Sequence, residues 1–347
     1  MTKVGIVGVT GYTGMELVRI LLGHPEVDLT YATSRTWAGK PLAQAIPAVE
    51  GRTELKISLF DGLEASQKAE VVFLCLPHSE AMDTAAQLVD LGTRVLDLSA
   101  DFRLKDAGIF EKWYGPHSQP QLLEGAVYGL PEIHRARIRE ASLVAVPGCY
   151  PTSVVLGLLP VAQNGLLNPG SVIADSKSGV SGAGKEPRAS LHFPEVEGNF
   201  SAYNIAGVHR HTCEMEQELS EVSGLPVSIT FSPHLLPVSR GILSTLYADP
   251  SRPVNTEDLV DLYSKRFSTE PFVKIRSGAD PLPSIKEVRG TNQCIIAPRV
   301  DIGNGRIVVV SCLDNLVKGA SGQATQCLNL MLDLPETLGL EDLPLLP

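Results

Sequence analysis

No apolar run in this sequence approaches the ~20 residues that a bilayer-spanning helix needs. There is no CxxC pair either: Cys75, Cys149, Cys213, Cys294, Cys312 and Cys327 stand far apart. Thiols scattered in this way do not outline a metal site, and disulfide frameworks belong to much shorter secreted chains. Aromatic residues are scarce at 5%, and cations are in deficit, with 29 Lys and Arg against 39 Asp and Glu for a formal net charge of −10. That balance argues against a basic nucleic-acid-binding face. No internal repeat or low-complexity segment is visible, and the opening MTKVGIVGVTG runs into a strand without the apolar core of a signal peptide. The expectation is a cytoplasmic protein with no metal and neither a membrane nor a nucleic-acid partner.

What is present fits two ordinary domains. The 347 residues are 44% hydrophobic, with 31 Gly and 25 Pro for tight turns and backbone-built sites. In the first half, short apolar runs alternate with helical patterns. Residues 4–9, 29–33, 70–76, 93–98 and 144–146 read as strands, and residues 79–91 as an amphipathic helix. Such alternation predicts a Rossmann-type α/β fold, a doubly wound parallel sheet. From about residue 171 the strands at 171–179, 226–235, 241–249, 292–301 and 305–314 follow one another mostly through turns, with one helix at 256–268. This second part reads as an α+β domain with a largely antiparallel sheet. The expected division is a cofactor domain over 1–148 and a catalytic and oligomerisation domain over 149–317. A closing helix over 318–334 is expected to return to the first domain, before a loose tail at 340–347.

Between the first strand and the first helix lies Gly8-Val9-Thr10-Gly11-Tyr12-Thr13-Gly14. Glycines there let the backbone turn sharply and approach a pyrophosphate, which the amides of the helix start then bind. The spacing is GxxGxxG rather than GxGxxG, so its strand-loop-helix context carries the assignment. An NAD site usually places an acid at the end of the second strand to hold the ribose 2′-OH. Here that end reads Ala32-Thr33-Ser34-Arg35. A hydroxyl and a guanidinium suit a 2′-phosphate, which favours NADP(H); Arg35 as a solvated loop residue is the competing view.

Val146-Pro147-Gly148-Cys149-Tyr150-Pro151-Thr152 joins a strand to an apolar helical stretch. Proline fits the first turn of a helix, so Cys149 falls at a helix N-terminus, where the dipole favours a nucleophilic thiolate. A structural thiol beside a turn is the alternative. The other five cysteines lie in core-like runs or lack an activating signal. A thiolate working with a nicotinamide interconverts an aldehyde and an activated acyl group through a thioester. Such chemistry needs a proton donor and acceptor, for which histidine is suited. His209 and His211 flank Arg210 just before a helix expected from residue 215, and the choice between them is open, leaning to His211. His78 reads as a cofactor-side or structural residue, and His24, His117 and His134 as solvated loop residues.

GVTGYTGMELVRIL, LPHSEAM, VLDLSADFRL, VYGLPEI, VPGCYPTS, DSKSGVSGAGK, AGVHRHTCEMEQ, FSPHLLPVSRGIL and DNLVKGASGQA together resemble the N-acetyl-γ-glutamyl-phosphate reductases of the aspartate-semialdehyde dehydrogenase group, from residue 5 to about 325. The resemblance implies NADPH-dependent reduction of N-acetylglutamyl 5-phosphate to the 5-semialdehyde with release of phosphate, a step of arginine biosynthesis. It places the nucleophile on Cys149 and nicotinamide-end contacts on Ser178, Gly179, Asn315 and the glycines after Lys318. It also implies a homodimer or homotetramer. Where the family has proline after HRHT, this chain has Cys213. An anionic substrate calls for cations, and the candidates are Arg210, Arg240, Lys185 and Arg103. Three rivals remain: the same chemistry on N-acetyl-aminoadipyl phosphate of lysine biosynthesis, a non-catalytic NADP-binding sensor, and a Cys-His hydrolase without a redox cofactor. One methylene discriminates by only ~1–3 kcal/mol, which motifs do not resolve.

Overall fold

The computed structural model describes residues 1–345, so residues 346–347 of the expected tail lie outside the described residues. The chain forms two compact units, one of Met1–Pro147 with Ala320–Glu341 and the other of Gly148–Gly319 with the segment from Asp342.

In the first unit β1 (Thr2–Val7), α1 (Tyr12–Leu21), β2 (Val27–Thr33), α2 (Leu42–Ala45), α3 (Gly62–Lys68) and β3 (Val71–Leu74) follow in order. Then come α4 (Met82–Asp90), β4 (Arg94–Asp97), α5 (Ala107–Tyr114), β5 (Val127–Tyr128), α6 (Pro131–Glu140) and β6 (Leu143–Ala145). The sheet runs β2-β1-β3-β4-β6-β5 and every pairing is parallel. All four residues of β3 are buried, as in a strand covered on both faces. Strand order reverses between β1 and β3, the switch point where such sheets bind ligands at their carboxyl ends.

The second unit opens with α7 (Cys149–Gln163), then β7 (Val172–Gly179), α8 (Phe193–Val196), β8 (Ser201–Ala202), α9 (His211–Ser223), β9 (Ile229–Leu236) and β10 (Ile242–Ala248). It continues with α10 (Thr256–Arg266), β11 (Val273–Ile275), β12 (Cys294–Val300) and β13 (Ile307–Leu313). Its sheet, β11-β12-β13-β10-β7-β9-β8, is mixed: β11/β12 and β7/β9 pair parallel and the other neighbours antiparallel. Strands β7 and β10 alternate buried and half-buried residues, the signature of a sheet with one covered face. Helix α7 lies on β10 and β13, and α9 packs beside it. One turn beyond Cys149, the buried Ser153 hydroxyl bonds Ser244 Oγ at 2.9 Å and seats the helix start on the sheet.

The closing helix α11 (Gly322–Met331) belongs to the first unit and packs on α1 and α6. All its residues are buried, and Cys327 Sγ bonds Gly129 O. Tail residue Leu345 is not loose: in the second unit its N–H donates to Arg289 O and its carbonyl accepts from Arg289 Nη2, both at 2.9 Å.

Three histidines expected in solvent are instead held by the protein. His24 is buried, with Nε2 donating to Asn329 Oδ1 at 2.9 Å and Nδ1 accepting the Glu26 N–H. His134 is buried beside Tyr128, and His117 Nε2 reaches Asp101 O at 2.8 Å. Local sequence does not report this, because the partners of His24 and His117 lie far along the chain. Burial lowers the pKa of His24 below the ordinary histidine value of 6.5. The folded state then holds fewer protons than the unfolded one, so stability is full above pH ~6.5 and falls as pH drops below it. Thermal melting between pH 7 and 5 is therefore expected to show a falling Tm that H24N flattens.

Candidate active site

At the carboxyl end of β1, Gly8 has φ +89°, and a Cβ there would meet Cys75 O at 2.4 Å. A Cβ on Gly14 would lie 2.5 Å from Gly8 O. Only glycine fits either position. Gly11 has no such neighbour, and it precedes α1 without any side-chain cap or acid in the first turn. The start of α1, at Tyr12 and Thr13, therefore presents an uncompensated positive end to an anion. Ser321 Oγ donates to Thr13 O at 2.9 Å and ties this turn to the start of α11.

The loop after β2 continues the site. Thr10 Oγ1 and Ser34 Oγ stand 3.0 Å apart, and Ser34 Oγ and Thr36 Oγ1 3.4 Å apart. Arg35 extends into solvent with its side chain 82% exposed, and Nη2 pairs with Glu80 Oε2 at 2.8 Å. No acid stands at the end of β2 to take a ribose 2′-OH. A glycine turn, an uncapped helix start, hydroxyls and a guanidinium fit a phosphorylated dinucleotide.

In the second unit, Cys149 is the first residue of α7, with Gly148 as the residue before it. It is half-buried. Cys213, Cys294, Cys312 and Cys327 are buried, and burial pushes the Cys75 and Cys213 thiols up to about 12 and the Cys312 thiol up as well. Those thiols are poor nucleophiles, whereas the helix start favours the thiolate of Cys149. Cys213 occupies the third position of α9 with its Sγ on Arg210 O at 3.2 Å, within the first turn, where either cysteine or proline is tolerated.

Around Cys149 the second unit assembles groups from distant segments. The Gly148 N–H is given to Glu214 Oε1 at 2.8 Å, and Glu214 is buried. Gly319 lies against Cys149: a Cβ on it would sit 2.8 Å from Cys149 Cβ and 3.3 Å from Asp314 O. G319A is expected to displace the thiol and lower kcat about 10²-fold, the scale of a 1 Å misplacement, as steady-state turnover will show. Tyr150 OH donates to His234 O at 3.3 Å and accepts from Tyr203 OH at 3.1 Å. Burial holds both phenols protonated, that of Tyr203 up to about 12. In the sequence Glu214 shows only as an acid three residues after His211. Tyr203 and His234 carried no signal that set them apart, and Gly319 stood out only as one of the glycines after Lys318 that the resemblance places at the nicotinamide end.

Helix α9 starts at His211 rather than near residue 215, because Thr212 N–H closes a turn on His209 O. The two histidines consequently differ. His209 is buried, its ring edge-on to Tyr150 and Phe231, and its Nδ1 accepts the His211 N–H at 3.1 Å. Burial, then the charge of Arg210, lowers its pKa to about 4. His211 is half-buried at the helix start, its ring 6.0 Å from that of Tyr150.

Asn315 Oδ1 accepts the Gly241 N–H at 2.7 Å and Nδ2 donates to Ser181 Oγ at 2.9 Å, so its amide pins two loops together. Gly179 is required by packing, since a Cβ would meet Arg240 N at 2.7 Å; Ser178 is buried with Oγ on Gly179 O. Arg240 is partly exposed with Nη1 4.0 Å from Asp314 Oδ2, while Arg210 and Lys185 are exposed. Arg103, in the first unit, is buried with Nε on Val146 O at 2.7 Å and Nη2 on Leu98 O at 3.0 Å, donors already given to backbone carbonyls. Among the described residues no helix is long and apolar enough to cross a membrane, and no three potential metal ligands cluster.

Comparison with known proteins gives concordant results. Residues 3–141 match the semialdehyde dehydrogenase NAD binding domain, and residues 149–315 the semialdehyde dehydrogenase dimerisation domain. Proteins called N-acetyl-gamma-glutamyl-phosphate reductase from Citrifermentans bemidjiense and Geobacter sulfurreducens are each 50% identical over 347 residues, covering 100% of both chains. The one from Moorella thermoacetica is 50% identical over 342 residues, 98% of each. Among solved structures, aspartate semialdehyde dehydrogenase II of Vibrio cholerae shares the fold with TM-score 0.74 at 16% identity, covering 96% of this chain and 98% of that one. The Candida albicans aspartate semialdehyde dehydrogenase does so with TM-score 0.71 at 16% identity, covering 96% and 99%. With full-length identity of this order, a glycine-loop fold in one unit and a cysteine at a helix start in the other, the chain belongs to the N-acetyl-gamma-glutamyl-phosphate reductase family.

Proposed function

We propose that this chain reduces N-acetyl-L-glutamyl 5-phosphate to N-acetyl-L-glutamate 5-semialdehyde with NADPH, releasing phosphate, as a cytoplasmic homo-oligomer in arginine biosynthesis. The observation that carries the mechanism is Cys149 as first residue of α7, half-buried, while the buried Cys213 and Cys312 thiols are pushed away from ionisation. Its thiolate attacks the acyl carbon; the carbonyl electrons move to oxygen, and their return expels phosphate and leaves a thioester on Sγ. The positive end of α7 stabilises the oxyanion. Glu214 keeps the Gly148 turn in place through the Gly148 N–H.

The cofactor is NADP(H), held by Gly8, Thr10, Gly11, Tyr12, Thr13 and Gly14 at the pyrophosphate and by Ser34 and Arg35 at the 2′-phosphate. When bound it supplies the hydride that reduces the thioester. His211 gives a proton to the resulting oxygen; as the C–S bond then breaks, the thiolate leaves with the bond's electron pair, the hydroxyl proton returns to His211, and the aldehyde carbonyl forms. His209 holds the His211 backbone through its Nδ1 and is neutral at pH 7. Arg210, Arg240 and Lys185 supply the cations for carboxylate and phosphate, and Arg240 is the one already oriented beside a buried acid.

The reverse reaction tests the proposal. NADP+ should be reduced by N-acetyl-L-glutamate 5-semialdehyde only when phosphate is added, and far less by its one-methylene-longer homologue. Reduction without phosphate would exclude acyl-phosphate chemistry, and preference for the longer semialdehyde would reassign the substrate.

A further inference from the structure

One arrangement in the first unit plays no part in the chemistry above: Asp101, just after β4, holds the loop that follows β3. Asp101 is fully buried, and its oxygens accept the N–H groups of Ser79 at 2.7 Å and Ala81 at 3.0 Å. These two bonds bracket Glu80. Ser79 has φ +70°, a left-handed conformation that serine seldom adopts. The His78 ring accepts the Ala100 N–H at 3.1 Å, and Glu80 N–H reaches Pro77 O at 3.2 Å. A backbone strained at one residue and fastened at its neighbours persists only where the surroundings impose it, and such loops cluster at functional sites. What this one presents outward is the Glu80 carboxylate, 2.8 Å from Arg35.

We propose that Glu80 is a specificity-determining residue for the cofactor: its carboxylate occupies the Arg35 guanidinium and competes with the 2′-phosphate for it. The inference rests on the reading of Arg35 as the 2′-phosphate contact. A guanidinium fork that binds a carboxylate presents the same donors to a phosphate, so the two acids exclude one another there. Phosphate carries more charge and displaces the carboxylate, but affinity is lower than Arg35 alone would give. NADH, which lacks that phosphate, gains nothing from breaking the pair. Asp101 makes the competition persistent by fixing the Glu80 backbone instead of leaving the side chain on a free loop.

Equilibrium binding of NADPH, NADH and 2′,5′-ADP to the intact protein tests this. E80Q and E80A should each tighten NADPH and 2′,5′-ADP about two- to fivefold, the range of an exposed ion pair, and leave NADH unchanged. Added salt should shrink the gain, and R35A should abolish it. Unchanged or weaker NADPH binding in both Glu80 variants would overturn the proposal. So would an equal gain in the R35A background, which would mean plain repulsion without competition. The parent reading fails separately: R35A that leaves the NADPH-to-NADH preference unaltered removes Arg35 from the site, whatever Glu80 does.

Discussion

Replacing Cys149 with serine is expected to lower turnover by about 10³-fold or more while NADPH still binds, because a hydroxyl at this helix start stays protonated where a thiol ionises. The proposed route passes through a thioester, and serine offers only an ester, a poorer hydride acceptor. NADPH affinity should survive, since the glycine turn, Ser34 and Arg35 belong to the other unit. Steady-state rates alongside NADPH fluorescence titration read the two properties separately. More than a few per cent of activity in C149S would rule out the covalent route. Alkylation gives a second check: Cys149 should react first among the six thiols, since burial raises those of Cys75, Cys213 and Cys312.

His211→Asn is expected to cost about 10²–10⁴-fold in kcat, the usual contribution of a positioned general acid or base. The limb of the pH–rate profile that reports this group should vanish with it. His209→Asn should cost less and leave the limb in place. The two residues are separated by what their rings already do: His209 Nδ1 accepts a backbone N–H, and its pKa near 4 makes it a neutral acceptor across the working range. Should H209N erase the limb and H211N spare it, the roles are reversed.

Legibility followed the distance between interacting residues. The glycine turn could be read because strand period, loop glycines and helix period lie within 20 residues, and the steric demands at Gly8 and Gly14 are local to it. Cys149 could be placed at a helix start from Pro147, Gly148 and Pro151 alone. Helix α9 starts earlier than the sequence pattern predicts because its first turn closes on His209 O, a backbone contact that no capping box in the sequence announces. His24 was misread because its acceptor, Asn329, lies 305 residues away.

By itself, then, the sequence determined the α/β class, the order of the two domains, the glycine turn and the place of Cys149 at a helix start, all written in short-range periodicity and turn chemistry. Only the tertiary structure decided what surrounds them. It brought Glu214 to the Gly148 N–H, Gly319 to the face of Cys149, and Asp101 to the loop that aims Glu80 at Arg35. These arrangements depend on chain segments 20 to 170 residues apart meeting in a packed interior. No pattern within a helix turn or a strand pair encodes such meetings, because the hydrogen bonds and excluded volumes that select them exist only once the units have folded.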